Sequence, residues 1–500
     1  MLFAFWVSMR VFLILFSLAA LFLYNSLTKM RQIPFDAMNY VEVAQNVVRG
    51  HGLVQSAVGH NQTQLELLTP GVPSAFTAQG PLFPLLIAAL SRTPERCPDI
   101  ALLLSALGFG MALWLGHRLA QRLYGSHAGI LALGAMLGFS PLVQSGKTAL
   151  SEGVALALLL ACLSVLLQAR DAGKERLIVL AGLLGGLCFA TRYALLWLLP
   201  FGMLALPWRQ FWRYSLGFAL VALPVVLHNL SQTGHALPPP LPSDQGFLTV
   251  LREGLLGLLG NYFVMDRQGA PQALLMVALA LVAALKTKTK GPFLPLTPHR
   301  LLLFWVLLYT TTLIAQRCRV HFDPLDGRLL LPASLVGLLA LVGAGAQLLT
   351  PRMQHLVALL GLLLFLGKEL RIAQWEALPP PEKSAPRLRW LAEKTSADDW
   401  LIGDELVDAT LFLQRKRVFS FSAYPYTPHV TAERLRQIAQ KAQESRSRAF
   451  LVLRLTQEPT EQLLWHFGPL IGPLKQNQRG PSNLILRAAL PDYKVYEISP

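Results

Sequence analysis

Long apolar stretches rich in Leu, Ala, Gly and Val alternate with short polar breaks along most of this 500-residue chain. A run of roughly 18 or more apolar residues matches the thickness of a bilayer. The pattern predicts about eleven spans: Val11–Leu27, Ile100–Leu123, Gly129–Leu142, Leu150–Leu167, Leu177–Ala190, Tyr193–Leu206, Tyr214–Leu230, Pro271–Leu285, Leu301–Ala315, Leu329–Leu349 and Leu356–Leu370. The fifth and sixth read equally well as one bent element. Between the first two, Pro34–Gly50 has helical spacing. Gly80-Pro81 then opens an apolar piece that ends at Arg92, too short to cross, and reads as an interfacial helix.

Beyond Gln374 the pattern changes. Prolines 379–381 mark a linker, and the residues after it have ordinary soluble composition. WLIGD, RVFSF, FLVLRL, NLILRAAL and KVYEI read as strands, and TAERLRQIAQKAQESRSRA as a charged amphipathic helix. The expected fold class is an α-helical polytopic membrane protein with a small C-terminal α/β domain outside the membrane. Its expected divisions are a transmembrane domain over 1–375 (first external loop 29–99), a linker over 376–386 and the α/β domain over 387–500.

Composition agrees. Hydrophobic residues make up 53% and charged residues 14%, with a mean hydropathy of +0.45, against about 25% charged in a soluble protein. The net charge of +16 does not form a stripe interleaved with aromatics, so nucleic acid is not an expected partner. The basic residues cluster between spans instead: Arg118 and Arg122; Arg170, Lys174 and Arg176; Arg209 and Arg213; Lys286, Lys288 and Lys290. Such clusters lie on the cytoplasmic side beside anionic membrane lipids. With the N-terminus inside, all four groups fall there. The first apolar stretch lacks a small-x-small cleavage site and reads as a retained span. The four cysteines show no metal-ligand spacing; Cys162 and Cys188 read as packing residues, while pairing of Cys97 with Cys318 stays open.

This topology places Asp36, Lys147, Glu152, Arg192, His228, Asn229 and Arg328 together on the external face. Each has an ordinary structural use. Asp36 and Glu152 suit helix starts, Lys147 a loop, Arg192 and Arg328 the interface, and His228 a helix end. Asp323 and Asp326 suit the turn around Pro324 and Gly327. Together they suit an anionic, lipid-linked substrate. Arginine offers a planar fork and lysine a point charge for phosphate oxygens. A carboxylate such as Asp36 deprotonates an attacking hydroxyl or holds a divalent cation.

The ordered motifs DxxxYxxxAxxxxxGxG (Asp36, Tyr40, Ala44, Gly50, Gly52), GPLFPLLIAAL, TALSEG, GLCFATRY and GRLLLP cover about residues 1–350. In order and spacing the chain resembles GT-C fold integral-membrane glycosyltransferases. The branch in question contains protein O-mannosyltransferases, lipid A aminoarabinose transferases and core galacturonosyltransferases. The resemblance implies a hexosyl or pentosyl transferase using a polyprenyl-phosphate-linked sugar donor and a lipid, glycan or protein acceptor. It implies a bacterial inner membrane, with the active site and C-terminal domain on the periplasmic side. Asp36 is then the catalytic residue and tentative metal ligand, and Tyr40, Lys147, Glu152, Arg192, His228, Asn229 and Arg328 bind substrate.

Three positions depart from the pattern. Ala37 stands where many relatives have a second acid, Leu329 where an aromatic follows the arginine, and His228-Asn229 where Arg-Asn ends the seventh span. The missing acid weakens a two-carboxylate metal site, so no cofactor is certain. Two other readings remain open at this point: a transporter or flippase for the same lipids, and a non-catalytic membrane scaffold.

Overall fold

The computed structural model describes residues 17–29, 33–55, 74–77, 79–238, 243, 245–262, 297–320, 325, 327–377, 385–404, 406–413, 417–421, 431–455, 470–471, 473–476 and 481–500. The expected span Pro271–Leu285, the lysines after it, Asp323 and Asp326 lie outside them.

A leading helix ends in a π-helical turn, Asn25–Lys29. Then come α1 (Phe35–Val48), β1 (Val54–Gln55), β2 (Ser74–Ala75), α2 (Leu82–Leu90), α3 (Cys97–Tyr124), α4 (Ser126–Gly138) and α5 (Ser140–Ser145). Next in the chain are α6 (Glu152–Ala172), α7 (Glu175–Thr191), α8 (Leu198–Ala205), α9 (Trp208–Thr233), α10 (Phe247–Tyr262) and α11 (Pro298–Arg319). The last apolar helices are α12 (Leu331–Leu348) and α13 (Pro351–Ala373). The C-terminal region adds α14 (Pro386–Lys394), β3 (Trp400–Asp404), α15 (Val407–Leu413), β4 (Arg417–Phe421), α16 (Ala432–Glu444), β5 (Ala449–Arg454), β6 (Leu484–Ala489) and β7 (Tyr493–Ile498).

Among the described residues five helices are long and apolar enough to cross a membrane: Pro94–Tyr124, Glu152–Ala172, Trp208–Thr233, Pro298–Arg319 and Leu331–Leu348. The protein is an integral membrane protein. Expected span three is broken at Phe139 into α4 and α5, and expected span six begins as a 3-10 turn, Tyr193–Trp197, before α8.

The chain divides into two compact units. The first comprises Met1–Gln32, Gln79–Phe83 and Asp99–Glu376; the second comprises Ile33–Ala78, Pro84–Pro98 and Ala377–Pro500. Most of the first external loop thus shares a unit with the C-terminal region.

In the first unit, glycines let helices approach backbone to backbone, as packing within lipid demands. A Cβ on Gly182 of α7 would lie 2.1 Å from the Tyr214 carbonyl oxygen of α9, and one on Gly361 of α13 would lie 2.0 Å from that of Gly134 in α4. The leading helix runs parallel to α13. Phe22 stacks on Phe365 with centroids 6.0 Å apart, Asn25 Nδ2 donates to the Glu369 carbonyl at 2.7 Å, and Lys29 Nζ donates to that of Trp375 at 2.6 Å. Successive contacts advance in the same direction along both helices. Lys29 and Trp375 therefore lie at the same end of this unit. At the other end lie Arg122–Asp171 (2.5 Å), Arg213–Glu175 (2.7 Å) and the His127–His355 pair (3.1 Å).

The second unit contains a mixed sheet of order β4-β3-β5-β7-β6, with β3 parallel to β4 and β5, and β7 antiparallel to β5 and β6. Leu435, Ile438, Ala439 and Ala442 form the apolar stripe of α16 and share a core with Ile402, Leu451, Leu453 and Tyr496 of the strands. Thr431 caps α16, its hydroxyl accepting from Arg434 N. In α1, Ala37, Val41 and Ala44 are fully buried at helical spacing, and the helix packs on α15.

Candidate functional site

The charged centre of the first unit is built on Glu152. Its position follows from close packing of α6 on α3: a Cβ on Gly153 would lie 2.6 Å from the Ser105 carbonyl oxygen, and Ser105 Oγ donates to the Leu150 carbonyl at 2.8 Å. Glu152 is the first residue of α6, where a carboxylate faces the positive end of the helix dipole. Arg192 caps the C-terminus of α7 in extended conformation (φ −146°, ψ 118°), which turns its side chain out of the helix path. Arg328 stands in the turn that leads into α12.

One carboxylate oxygen holds both guanidiniums. Arg192 Nη1 lies 2.7 Å from Glu152 Oε1, and Arg328 reaches the same atom with Nε and Nη2, each at 3.1 Å. The Glu152 side chain is 4% exposed, Arg192 13% and Arg328 45%. Glu152 Oε2 is buried without a hydrogen-bond partner among the described residues. Of the two guanidiniums Arg328 is the more exposed and Arg192 the more buried. Without Glu152, two arginines this close would repel in a weakly screened setting.

His228 and Asn229 lie near the end of α9. Asn229 Nδ2 donates to Tyr193 Oη and to the Ala236 carbonyl, both at 3.1 Å, tying α9 to the residue after Arg192. Half-buried His228 has its Nε2 enclosed and unpartnered among the described residues.

Lys147 is buried at the same end. Its Nζ lies 2.5 Å from Glu369 Oε1 and over the Phe22 ring (5.0 Å), while Asn25 Nδ2 donates to Glu369 Oε2 at 2.9 Å. Burial lowers the Lys147 pKa, and the hydrogen bond and charge of Glu369 oppose that shift. A phosphate role for Lys147 therefore requires this pair to open. Glu369 and Asn25 are not among the residues that the sequence pattern singles out, although an acid within the expected span Leu356–Leu370 was a usable signal.

Asp36 and Tyr40 belong to the second unit. Asp36 is half-buried at the second position of α1, whose N-cap is Pro34, so it is not the helix cap. Tyr40 is 5% exposed and meets Phe76 edge to face with centroids 6.2 Å apart. Ala37 is completely buried and offers no ligand. Further along, α1 buries Asn39, Glu42, Gln45 and Asn46; Gln45 Nε2 donates to the Pro94 carbonyl at 3.0 Å and Asn46 Nδ2 to that of Val54 at 2.9 Å. Among the described residues no three His, Cys, Asp or Glu side chains come together as metal ligands, and the four cysteines are free.

No family model matches the sequence, and no curated protein is similar to it. Among solved structures, the oligosaccharyltransferase of Archaeoglobus fulgidus, crystallised with Zn and sulfate, superposes with a TM-score of 0.52 at 12% identity, over 93% of this chain and 69% of that one. The chain has the GT-C fold. ArnT from Cupriavidus metallidurans is also similar, at 13% identity over 98% of both chains, with TM-scores of 0.48 bound to undecaprenyl phosphate and 0.46 in the apo state. In this GT-C chain the Glu152 centre joins three elements far apart in sequence: the start of α6, the end of α7 and the turn before α12.

Proposed function

We propose that the protein is a membrane glycosyltransferase. It moves a hexosyl or pentosyl group from a polyprenyl-phosphate carrier to a lipid, glycan or protein acceptor at the external, periplasmic face. The observation that carries this reading is the pair of guanidiniums on one buried carboxylate oxygen, at one end of a membrane bundle with the GT-C fold. Guanidiniums suit the oxygens of an anionic phosphodiester. Arg328 is the more exposed group and Arg192 the more buried, and Glu152 keeps the two oriented.

Asp36 is the base, on the strength of its position in the sequence. It takes the proton of the acceptor hydroxyl as that oxygen attacks the anomeric carbon. The new C–O bond forms as the bond to the phosphate oxygen breaks, and polyprenyl phosphate leaves with the electron pair. In-line displacement inverts the anomeric centre. A phosphate is a competent leaving group, so no strong general acid is needed. Asn229 braces Tyr193 beside Arg192, with His228 next to it in α9; Lys147 adds charge when released from Glu369, and Tyr40 supports the Asp36 helix.

The test supplies purified protein in sealed proteoliposomes with radiolabelled polyprenyl-phosphate hexoses and pentoses, and an envelope extract as acceptor. Label should pass to the acceptor, and to none with R328A. Label that crosses the bilayer still bound to its lipid would replace this reading with a transporter, and neither outcome would leave a scaffold.

A further inference from the structure

Arg328 lies in a turn, where backbone freedom would blur the direction of its guanidinium. Both carbonyls that flank it are instead held by buried side chains from separate helices. Asn261 Nδ2, near the end of α10, donates to the Gly327 carbonyl at 2.8 Å. Tyr309 Oη of α11 donates to the Leu329 carbonyl at 3.0 Å. Asn261 is 6% exposed and Tyr309 fully buried.

The contact is shaped as well as hydrogen-bonded. A Cβ on Gly327 would lie 2.3 Å from Asn261 Oδ1, and one on Gly257 of α10 would lie 2.2 Å from the Leu325 carbonyl oxygen. Only glycine at both places lets the helix and the turn meet this closely. Asn261 Nδ2 also donates to Ser334 Oγ at 2.8 Å, and Tyr262 Oη to the Ser334 carbonyl at 2.7 Å, so α10 grips the start of α12 on the other side of the turn. Helix α10 falls in a segment that the hydropathy pattern leaves as external loop.

We infer that Asn261 and Tyr309 are positioning residues for Arg328, and that α10 sets the orientation of its guanidinium toward the donor phosphate. The inference rests on the proposed phosphate role of Arg328. A neutral hydrogen bond that orients a binding group is worth about two- to tenfold in affinity.

The test is a double-mutant cycle on the full chain in nanodiscs, titrated with undecaprenyl phosphate. R328A should weaken binding about tenfold or more, and N261A and Y309F each about two- to tenfold. In the R328A background neither should change the dissociation constant further. A purely packing role predicts equal losses in both backgrounds, and that result overturns the inference. Y309F removes only a hydroxyl and keeps the test open if N261A does not fold. Unchanged binding by R328A alone defeats the phosphate reading, and this role falls with it; R328A weakening with N261A and Y309F both silent defeats this role and leaves that reading standing.

Discussion

Lys147 Nζ lies 2.5 Å from Glu369 Oε1, and the two side chains are 1% and 0% exposed. They are 222 residues apart in sequence. An ammonium and a carboxylate enclosed together balance each other, whereas either alone is an uncompensated buried charge. Asn25 donates to the second carboxylate oxygen, and Phe22 and Asn25 stand one helical turn apart on the leading helix. The network therefore joins that helix, the loop before α6, and α13.

Removing one partner should be much worse than removing both. E369L or K147M alone should destabilise the protein by about 3–5 kcal/mol, and the double variant K147M/E369L should recover most of that loss. Thermal midpoints in detergent report this directly. Equal midpoints for E369L and the parent would show that the pair is not closed in the membrane-extracted protein.

The two arginines on Glu152 should separate by burial. R192A leaves a carboxylate that is 4% exposed with only the more exposed Arg328 as counter-charge, so it should lower both undecaprenyl phosphate affinity and the thermal midpoint. Arg328 is 45% exposed, and R328A should lower affinity while moving the midpoint less. Binding isotherms and melting curves on the same preparations check the contrast. A larger midpoint drop for R328A than for R192A would contradict it.

In the C-terminal region Asp399 gives a pH prediction. Burial raises its pKa. The backbone N–H groups of Arg448 (2.9 Å) and Ser396 (2.8 Å) and the Arg448 guanidinium (3.0 Å) outweigh that and hold it below the ordinary aspartate value. A depressed folded-state pKa contributes stability above the unfolded value of about 3.9, and the contribution fades as pH falls through the folded value. The difference in thermal midpoint between the parent and D399N should therefore be full at neutral pH and shrink below about pH 4. A constant difference over that range would rule out the linkage.

Period and turn chemistry carried much of the architecture. The strands expected from WLIGD and RVFSF are β3 and β4 residue for residue, and the expected spans Ile100–Leu123 and Tyr214–Leu230 lie within α3 and α9. These are local signals, set by side-chain spacing within one element. Pairings that depend on the folded path were not legible. Nothing near Lys147 points to Glu369, and nothing in the hydropathy of α10 announces that Asn261 holds the carbonyl before Arg328. The assembly of α1 with α15 in one unit is equally non-local, because it joins the first loop to a helix more than 350 residues later. Glu152, Arg192 and Arg328 were each legible as candidates, but not that one oxygen of Glu152 holds both arginines.

Asp36→Asn separates chemistry from binding. The substitution keeps the shape of a half-buried side chain at the second position of α1 and removes its ability to take a proton. The thermal midpoint of the variant is measured alongside, so that any loss of transfer is read on folded protein. Affinity for undecaprenyl phosphate should hold, because Arg192 and Arg328 are the proposed phosphate groups and Asp36 is proposed to act on the acceptor hydroxyl. Transfer should fall at least about a hundredfold, the lower range for a positioned general base. Parent and variant are compared by single-turnover transfer at saturating donor, alongside a binding titration. Full transfer by the variant would remove Asp36 from the mechanism. Lost binding with it would instead move Asp36 into the donor site.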